Sequence, residues 1–461
     1  MLDTNKFSDA CVKCGKCIPT CTIHQISSDE TTSPRGFLDL IAAVKSKELP
    51  LNKDTKAIFD SCFLCTNCVE ACPSNIRVDS AIEAVRYEIA LKIGIAWYKR
   101  LAFWLLSKRS VLDILAKLGY VFQSCGFKIH GQNSFEMLNL NPSALKKDKI
   151  SSKNLSENSN ENFEKSLNKN LGKNLGMKAR FSLPLVKKGR FFPSLAQKSF
   201  LNSNPSFIDN GGTKNVGFFV GCLANYAYTS TAFAVLKIAK ELKINVDLMK
   251  EQNCCAAPQY FTGDFKSVEK LAKKNIEYFE KKLEKLDFII VPEATCSAML
   301  NKDYEHFFAL IKDEAWKKRT QKVASKILLA TKYFYDFTPL KALLEHKGMS
   351  ELKITYHDPC HARKMQGIFK EPRELLRSNF KLIELSEQNT CCGFGGVSMQ
   401  LENYDKALKV GLKKAEDIQK SGANIVSAEC SACRMQISNA LEQSGSKVLF
   451  QNPLELIAAR L

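Results

Sequence analysis

Two runs of four cysteines near the start of the chain constrain its fold more than any other sequence feature. Each run has the spacing Cx2Cx2Cx3C, first as CVKCGKCIPTC and then as CFLCTNCVEACP. Gaps of two residues let three thiolates on one loop bind three irons of a [4Fe-4S] cube, while the fourth cysteine points away and ligates the neighbouring cube. The predicted ligands are Cys11, Cys14, Cys17 and Cys72 for one cluster, and Cys62, Cys65, Cys68 and Cys21 for the other.

Zinc is the alternative metal for cysteines at CxxC spacing. Zinc sites favour two CxxC pairs separated by a longer loop, whereas this chain repeats a complete four-cysteine run and places Pro73 after the last cysteine. Thr22 follows the first run in place of proline, a departure that affects the local turn more than ligation. Helical patterns lie between the runs (RGFLDLIAAVKSKEL) and after them (VDSAIEAVRYEIALKIG), so residues 1–130 are predicted to form a helical two-cluster ferredoxin domain with a helical extension.

Residues 81–122 have helical periodicity with two chemically different faces. Glu88, Lys92 and Lys99 share one side of the helical wheel. The opposite side carries Ile93, Trp97, Leu101 and Trp104. One interpretation is a core helix packed on the ferredoxin domain. The other is an interfacial helix, because lysines and arginines beside two tryptophans suit an anionic membrane surface, and peripheral membrane contact is therefore a hypothesis.

The cysteine content and the N-terminal sequence indicate a compartment. The N-terminus lacks the apolar segment of a signal peptide, and no stretch approaches eighteen consecutive apolar residues. We expect a cytoplasmic protein, either free or peripheral on the inner face of the cell membrane. Thiols stay reduced in the cytoplasm, so 18 cysteines point to metal rather than to disulfides.

The formal charge of +19 suggests nucleic-acid binding, but its distribution argues against that function. Residues 141–215 contain 14 Lys or Arg and 5 Asp or Glu, so 14 minus 5 places +9 of the excess in one segment. That segment is rich in Asn, Lys and Ser and has few aromatic residues. Residues 131–213 are therefore predicted to be a partly disordered, solvated linker, and no nucleic-acid partner is expected.

From about residue 214 the chain reads as a tandem duplication. NVGFFVGC aligns with KITYHDPC, EQNCC with EQNTCC, and FIIVPEATCSAM with NIVSAECSAC. The first unit covers residues 214–335 and the second covers residues 336–461. Short β-rich runs alternate with helical stretches in both units, which predicts α/β repeats with a parallel sheet and an α+β fold overall. Cysteines at the carboxyl ends of the strands would gather in the crevice where such sheets bind ligands.

The pattern of a cysteine, CCG and then CxxC resembles the CCG domain of heterodisulfide reductases. Doubled behind a two-cluster ferredoxin domain, it makes the chain similar to the glycolate oxidase iron-sulfur subunit family. Relatives in that group include the iron-sulfur subunits of D-lactate and anaerobic glycerol-3-phosphate dehydrogenases. The resemblance implies that a CCG domain binds a further iron-sulfur cluster.

The two repeats differ at their last cysteine position. The second repeat ends in CxxC, whereas the first has Met299 in place of the second cysteine. A thioether is neutral and binds iron sulfide less firmly than a thiolate. The third cluster is therefore predicted in the second repeat, on Cys360, Cys391, Cys392, Cys430 and Cys433. The first repeat, degenerate at CxxM, is predicted to hold zinc or a less tightly bound cluster through Cys222, Cys254, Cys255 and Cys296.

Other residues near the second CCG run have two interpretations each. Gly393 and its neighbours could offer N–H groups to sulfur or form a plain turn. His357, Asp358 and His361 in HDPCH could relay protons or hydrogen-bond a sulfur, and a turn built on Asp-Pro explains them nearly as well.

The chain has neither a GxGxxG run opening a helix after a strand nor a Walker motif, and no catalytic residue is predicted. The resemblance implies the iron-sulfur electron-transfer subunit of a flavin-dependent 2-hydroxy acid dehydrogenase, similar to glycolate oxidase. A separate FAD subunit would oxidise the substrate, and electrons would pass to quinone or another acceptor. The alternatives are a thiol/disulfide catalyst of the heterodisulfide reductase type, or a subunit of a D-lactate or glycerol-3-phosphate dehydrogenase.

Overall fold

The computed structural model describes residues 5–126 and 193–461, with side chains from residues 7–121 and 193–461. Most of the predicted linker, residues 131–192, lies outside the described residues. The N-terminal part is helical, as predicted. Its α-helices are α1 Asn5–Asp9, α2 His24–Ser27, α3 Pro34–Lys45, α4 Lys53–Asp60, α5 Asn67–Glu70, α6 Val78–Lys92, α7 Trp97–Leu106 and α8 Arg109–Gly126, with a 3-10 turn at Glu30–Thr32.

Local capping explains where the helices between the two cysteine runs begin. Ser33 accepts a hydrogen bond from the backbone N of Gly36 at 2.9 Å, and Pro34 occupies the first turn of α3. Asn52 and Thr55 form a reciprocal capping box at the start of α4. These caps fix the two helices that separate the cysteine runs in sequence, so that the runs return to each other in space.

Helix α6 is the core helix of this domain and also its link to the C-terminal part. Arg86 is buried and donates to the carbonyl oxygens of Phe59, Cys62 and Phe261, each at 2.9 Å. Phe261 belongs to the first repeat. A buried guanidinium that satisfies three carbonyls ties the ferredoxin domain to that repeat and costs several kcal/mol to break.

Helix α7 buries part of its polar side and exposes part of its apolar side, the reverse of an ordinary core helix. Lys99 is only 2% exposed, and its Nζ donates to Ser398 Oγ at 2.9 Å and lies 2.8 Å from a carboxylate oxygen of Glu402. Trp97 is 69% exposed and Trp104 is 49% exposed. The interpretation as a core helix holds for α6 and is wrong for α7, which buries Lys99 on its polar side and exposes Trp97 and Trp104 on its apolar side.

The first repeat contains a five-stranded sheet in the order β1-β3-β2-β4-β5. All of its neighbouring strands are parallel except β1, which pairs antiparallel with β3. The strands are β1 Phe207–Ile208, β2 Asn215–Phe218, β3 Asn245–Asp247, β4 Phe288–Val291 and β5 Ile327–Leu329. Strand β1 and the buried Phe200 come from the described end of the segment predicted as linker, and they complete this sheet and its core.

Helices cover both faces of this sheet. They are α9 Phe200–Ser203, α10 Cys222–Tyr226, α11 Thr229–Glu241, α12 Ala257–Tyr260, α13 Phe265–Leu283, α14 Ala294–Ala298, α15 Tyr304–Leu310, α16 Glu314–Ala324 and α17 Ala330–Phe337. The next helix, α18 Leu340–Glu345, begins the second repeat and contacts α17. A π-helical segment, Met299–Asp303, joins α14 to α15.

The second repeat has a four-stranded parallel sheet in the order β7-β6-β8-β9, which confirms the predicted parallel-sheet α/β character. Its strands are β6 Ser350–Tyr356, β7 Phe380–Ile383, β8 Ile425–Ser427 and β9 Leu449–Gln451. Its helices are α19 Cys360–Gln366, α20 Lys370–Arg377, α21 Gly396–Glu402, α22 Tyr404–Lys420, α23 Ser431–Gln443 and α24 Pro453–Arg460.

The repeats meet where their central strands end. Backbone N of Ala294 donates to the Glu429 carbonyl at 2.8 Å, and buried Glu293 accepts from Ser431 N at 2.6 Å. One hydrophobic core joins the ferredoxin domain to the second repeat, and another fills the first repeat around α13 and α15. The carboxyl ends of both sheets therefore face the same region as the ferredoxin cysteines.

Candidate iron-sulfur centres

The ferredoxin domain contains two cavities, each lined by four cysteines. One cavity is lined by Cys11, Cys14, Cys17 and Cys72. The other is lined by Cys21, Cys62, Cys65 and Cys68. Each set combines three cysteines of one run with the last cysteine of the other run. This is the grouping that the crossed ligation pattern predicts, and ligation by these thiols stays a prediction.

The two loops share an unusual backbone. Lys13 and Leu64 occupy the same position in the two runs and both have positive φ, at 53° and 51°. Gly15 and Thr66, each directly after the second cysteine of its run, also have positive φ, at 77° and 58°. Non-glycine residues adopt this region rarely, and doing so twice in a short loop costs energy. The curled backbone turns the first three cysteines of each run inward, which fits a loop that wraps a metal cluster.

Polar groups also approach the sulfurs. Backbone N of Leu64 donates to Cys62 Sγ at 3.4 Å, and the Thr22 hydroxyl lies 3.2 Å from Cys65 Sγ. Burial raises the pKa of the Cys62 thiol to about 12 and that of Cys21 to about 11. Buried neutral thiols surrounding a cavity release protons when they bind a cationic metal. The donor set and its surroundings therefore fit an iron-sulfur cluster.

The first repeat gathers four sulfurs at the carboxyl edge of its sheet. Cys255 Sγ lies 3.4 Å from Cys296 Sγ, and backbone N of Ala256 donates to Cys254 Sγ at 3.5 Å. The Cys254 thiol and burial both raise the pKa of Cys222 well above its usual range, and Cys254 in turn interacts with Cys255. The four thiols therefore follow one another from Cys222 to Cys296, and zinc binding by this set stays a proposal.

Met299 is fully buried in the apolar core of the first repeat, in the same cluster as Phe219, Cys255 and Cys296. Its neutral thioether contributes packing contacts to that core.

The second repeat gathers five cysteines, four of them less than 6% exposed. Hydrogen bonding with Cys360 and Cys392, together with burial, raises the pKa of Cys391 well above its usual range. Hydrogen bonding with the Cys392 thiol likewise raises the pKa of Cys433 well above its usual range. The Cys391 and Cys433 thiols lower the pKa of Cys392, so one thiolate is favoured within the group. The five sulfurs are Cys360, Cys391, Cys392, Cys430 and Cys433.

The ferredoxin domain and the second repeat touch through their cysteines. A hydrogen bond from Cys391 is the largest influence on Cys65 and lowers its pKa to about 5. Lys364 lies at the same junction and donates to the Cys65 carbonyl at 3.4 Å and to the Asn389 carbonyl at 3.3 Å. Two cysteine groups that are far apart in sequence therefore border the same lysine and the same hydrophobic core.

Sequence reasoning missed these connecting residues. Lys364 lies in the helix after Cys360, where a lysine has no distinguishing motif. Thr295, whose hydroxyl is 3.5 Å from Cys430 Sγ and 3.4 Å from a ring nitrogen of His361, belongs to the other repeat. A sequence signal existed only for Thr295, because it precedes Cys296 at the position where the second repeat has Glu429.

Known protein families match the same regions. Residues 7–76 match the 4Fe-4S dicluster domain, and residues 216–301 and 354–438 each match the cysteine-rich domain called CCG. The chain is a 4Fe-4S dicluster protein with two CCG domains. The sequence resemblance is thereby confirmed, and both CCG matches include the cysteines that the structure gathers.

Curated relatives of this dicluster CCG protein carry the names of oxidoreductase components. A Bacillus subtilis protein named "Probable glycolate oxidase iron-sulfur subunit" is 25% identical over 94% of this chain and 89% of its own length. A Methanothermobacter marburgensis protein, named as a component of fumarate reductase (CoM/CoB), is 32% identical over 54% of this chain, which spans only 48% of that relative. Lactate utilization protein A of Exiguobacterium is 28% identical over 53% of this chain and 96% of its own length.

Proposed function

We propose that this chain is the iron-sulfur electron-transfer subunit of a flavin-dependent 2-hydroxy acid dehydrogenase, similar to glycolate oxidase. A separate FAD subunit oxidises the hydroxy acid, and the electrons pass through this chain toward quinone or another acceptor. The observation that carries the proposal is the junction at Lys364, which donates to the carbonyls of Cys65 and Asn389 and so places the ferredoxin cysteines beside those of the second CCG domain. The name of the Bacillus subtilis relative, which matches 94% of this chain, supports the class of complex.

The residues arrange three cysteine groups in series. The group with Cys14 is nearest to solvent, since Cys14 is exposed and neighbouring Val12 is 71% exposed. The group with Cys65 comes next, and the buried group of the second repeat follows. Bound iron-sulfur clusters supply one-electron acceptors at such positions. The chain holds these positions close together and buries four of the five cysteines of the last group.

We also propose that the third cluster is bound by the second repeat and that the first repeat holds zinc. The second repeat offers five thiols and the first offers four, with Met299 packed into the core. Four cysteines satisfy a structural zinc site completely.

The first test is an anaerobic pull-down of the full chain, followed by visible spectra during addition of glycolate, D-lactate, L-lactate or glycerol 3-phosphate. Co-purification of a flavoprotein and bleaching by one hydroxy acid is the expected result, and it names the substrate. Bleaching by glycerol 3-phosphate alone would assign the chain to the other dehydrogenase class. A brown protein that no substrate bleaches would overturn the dehydrogenase proposal.

The alternative of thiol/disulfide catalysis is favoured by one comparison, the similarity to a fumarate reductase component whose name includes CoM/CoB. If this function is correct, the chain reduces a disulfide to two thiols when a one-electron donor supplies two electrons for each disulfide and the solvent supplies two protons. Absence of thiol release under conditions where the clusters are fully reduced would exclude it.

Helices α7 and α8 present an apolar surface, which we propose docks on an anionic membrane. Between residues 91 and 121 the exposed cations are Lys92, Arg100, Lys108 and Lys117, and the single acid, Asp113, accepts a hydrogen bond from Tyr226. Exposed apolar groups beside cations complement anionic lipid. The surface consists of Leu91, Trp97, Leu101, Trp104, Ile114, Leu115, Leu118 and Val121. None of the helices in residues 5–126 and 193–461 is long and apolar enough to cross a bilayer.

Flotation with vesicles tests this surface. We expect the chain to float with phosphatidylglycerol vesicles and to be released by salt, since part of the attraction is electrostatic. Replacing Trp97 and Trp104 together by serine should abolish flotation, whereas Met349→Ser, at a residue 62% exposed elsewhere, should not. Equal flotation of both variants would show that this surface is not the membrane contact. Capture of the flavoprotein through these tryptophans would assign the surface to the partner subunit.

A further inference from the structure

His357 is an unexplained buried polar residue beside the sulfurs of the second repeat. It follows strand β6, has no exposed surface, and neither of its ring nitrogens has a hydrogen-bond partner within the described residues. An imidazole buried without partners costs about 1 to 3 kcal/mol. Such a side chain persists when something else occupies its nitrogen.

The nearest groups capable of doing so are two cysteines. One ring nitrogen of His357 and the sulfurs of Cys392 and Cys433 all lie within 4.8 Å of one another. Neutral imidazole and thiolate are both common ligands of iron and zinc. One metal ion between the three atoms would satisfy the histidine and both sulfurs.

The first repeat supplies an independent observation. Phe219 N donates to the Ile290 carbonyl in the first sheet, as His357 N does to the Ser427 carbonyl in the second. The strand registers agree, since Phe218 pairs with Ile290 and Tyr356 with Ser427. Phe219 is therefore the structural counterpart of His357.

The exchange of histidine for phenylalanine accompanies the exchange of cysteine for methionine. The first repeat has Phe219 and Met299, and the second has His357 and Cys433 at the same two places. All four side chains are at most 5% exposed. Two donors that are present together in one repeat and absent together in the other behave as one unit of a binding site.

We propose that His357 is a ligand of the metal centre in the second repeat and shares one metal ion with Cys392 and Cys433. This inference rests on the proposed third cluster. A histidine in place of a cysteine ligand leaves a centre less negatively charged and raises its reduction potential. His357 would thus set the potential of the centre that follows the ferredoxin clusters.

Pulsed EPR on the reduced full chain, labelled with 15N-histidine, tests the proposal. We expect a strongly coupled histidine nitrogen on one centre, which is lost in His357→Phe. That variant places in the second repeat the residue that the first repeat already accommodates, so its fold is expected to persist. His357→Cys should retain the metal, lose the nitrogen coupling and shift the midpoint potential downward.

His361→Phe is the matched control, since His361 lies beside the same cysteine run but its ring contacts Thr295 and Phe261. It should retain the coupling. A third centre without histidine coupling would overturn the ligand assignment and leave the electron-transfer proposal intact. Absence of a third centre would overturn the assignment of a cluster to the second repeat. Equal loss of the nitrogen coupling in His357→Phe and His361→Phe would show that the effect comes from packing, and it would overturn the inference.

Discussion

The two CCG repeats place their cysteines on the same scaffold but surround them differently. In the second repeat the sulfurs share their space with His357 and lie beside the ferredoxin group at Lys364. In the first repeat the corresponding space is filled by Phe219, which packs edge-on against Phe279 with ring centroids 5.9 Å apart, and by Met299. A fold that needs only buried side chains of suitable volume can exchange ligands for apolar groups without losing its core.

The largest expected difference between the repeats is in bound iron. Cys360→Ser removes a thiolate of the proposed third cluster, and the chain should lose that cluster's iron and acid-labile sulfide. Cys222→Ser, at the equivalent position, should leave iron unchanged and release zinc. Metal and sulfide analysis checks both variants. Loss of a cluster from Cys222→Ser would show that both repeats bind iron-sulfur centres.

Conversion of the first repeat into the second is a sharper test of the same comparison. The double variant Phe219→His with Met299→Cys restores both missing donors, and we expect it to bind additional iron and sulfide in place of zinc. Each single variant should gain little, because one buried donor without the other leaves the site incomplete. Reconstitution with iron and sulfide followed by EPR measures the gain. An equal gain from Met299→Cys alone would show that the histidine is dispensable.

The residue after the paired cysteines has positive φ in both repeats, but it is glycine in the second repeat and alanine in the first. Gly393 has φ +89°, and a Cβ there would lie 2.7 Å from the Ala407 carbonyl oxygen. Gly393→Ala should therefore lower the free energy of unfolding by about 2 kcal/mol or more. Ala256 holds the matching position with φ 67°, so Ala256→Gly should raise it by up to about 1 kcal/mol. Chemical unfolding followed by circular dichroism measures the free energy of unfolding of both variants. A Gly393→Ala variant as stable as the parent chain would contradict the predicted clash at the Ala407 carbonyl.

The repeats also hold the ferredoxin domain by different contacts. Burial alone would raise the pKa of Glu402. The charges of Lys99 and Lys56 have a larger opposite effect and lower this pKa to about 2. Lys99→Met should cost about 1 to 2 kcal/mol of unfolding free energy at pH 7, because Glu402 keeps Lys56 at 3.2 Å.

Acid should reduce the stability cost of Lys99→Met. A depressed carboxyl pKa stabilises the fold above the ordinary value of 4.5, and the contribution disappears as the pH falls toward 2. Chemical unfolding at several pH values checks the trend, with exposed Arg100→Met as the control. A cost that does not change below pH 4.5 would show that lost packing, and not the ion pair, accounts for it.

Sequence patterns determined the cluster class, the parallel-sheet repeats and the family resemblance, because cysteine spacing and strand–helix alternation are local properties of the chain. Met299 could be recognised as a departure from the CxxC spacing of the second repeat for the same reason. The burial of Lys99 and the exposure of Trp97 could not be predicted, since a helical wheel does not reveal which side finds a partner such as Glu402.

The order of the cysteine groups was decided by tertiary structure alone. Cys65 and Cys391 are separated by more than three hundred residues, and no sequence pattern predicts that they meet. The role of His357 likewise depends on its burial and on the sulfurs around it, because HDPC is also an ordinary turn sequence. Local spacing specifies which metal a loop can hold, whereas packing between domains specifies which centres lie next to each other.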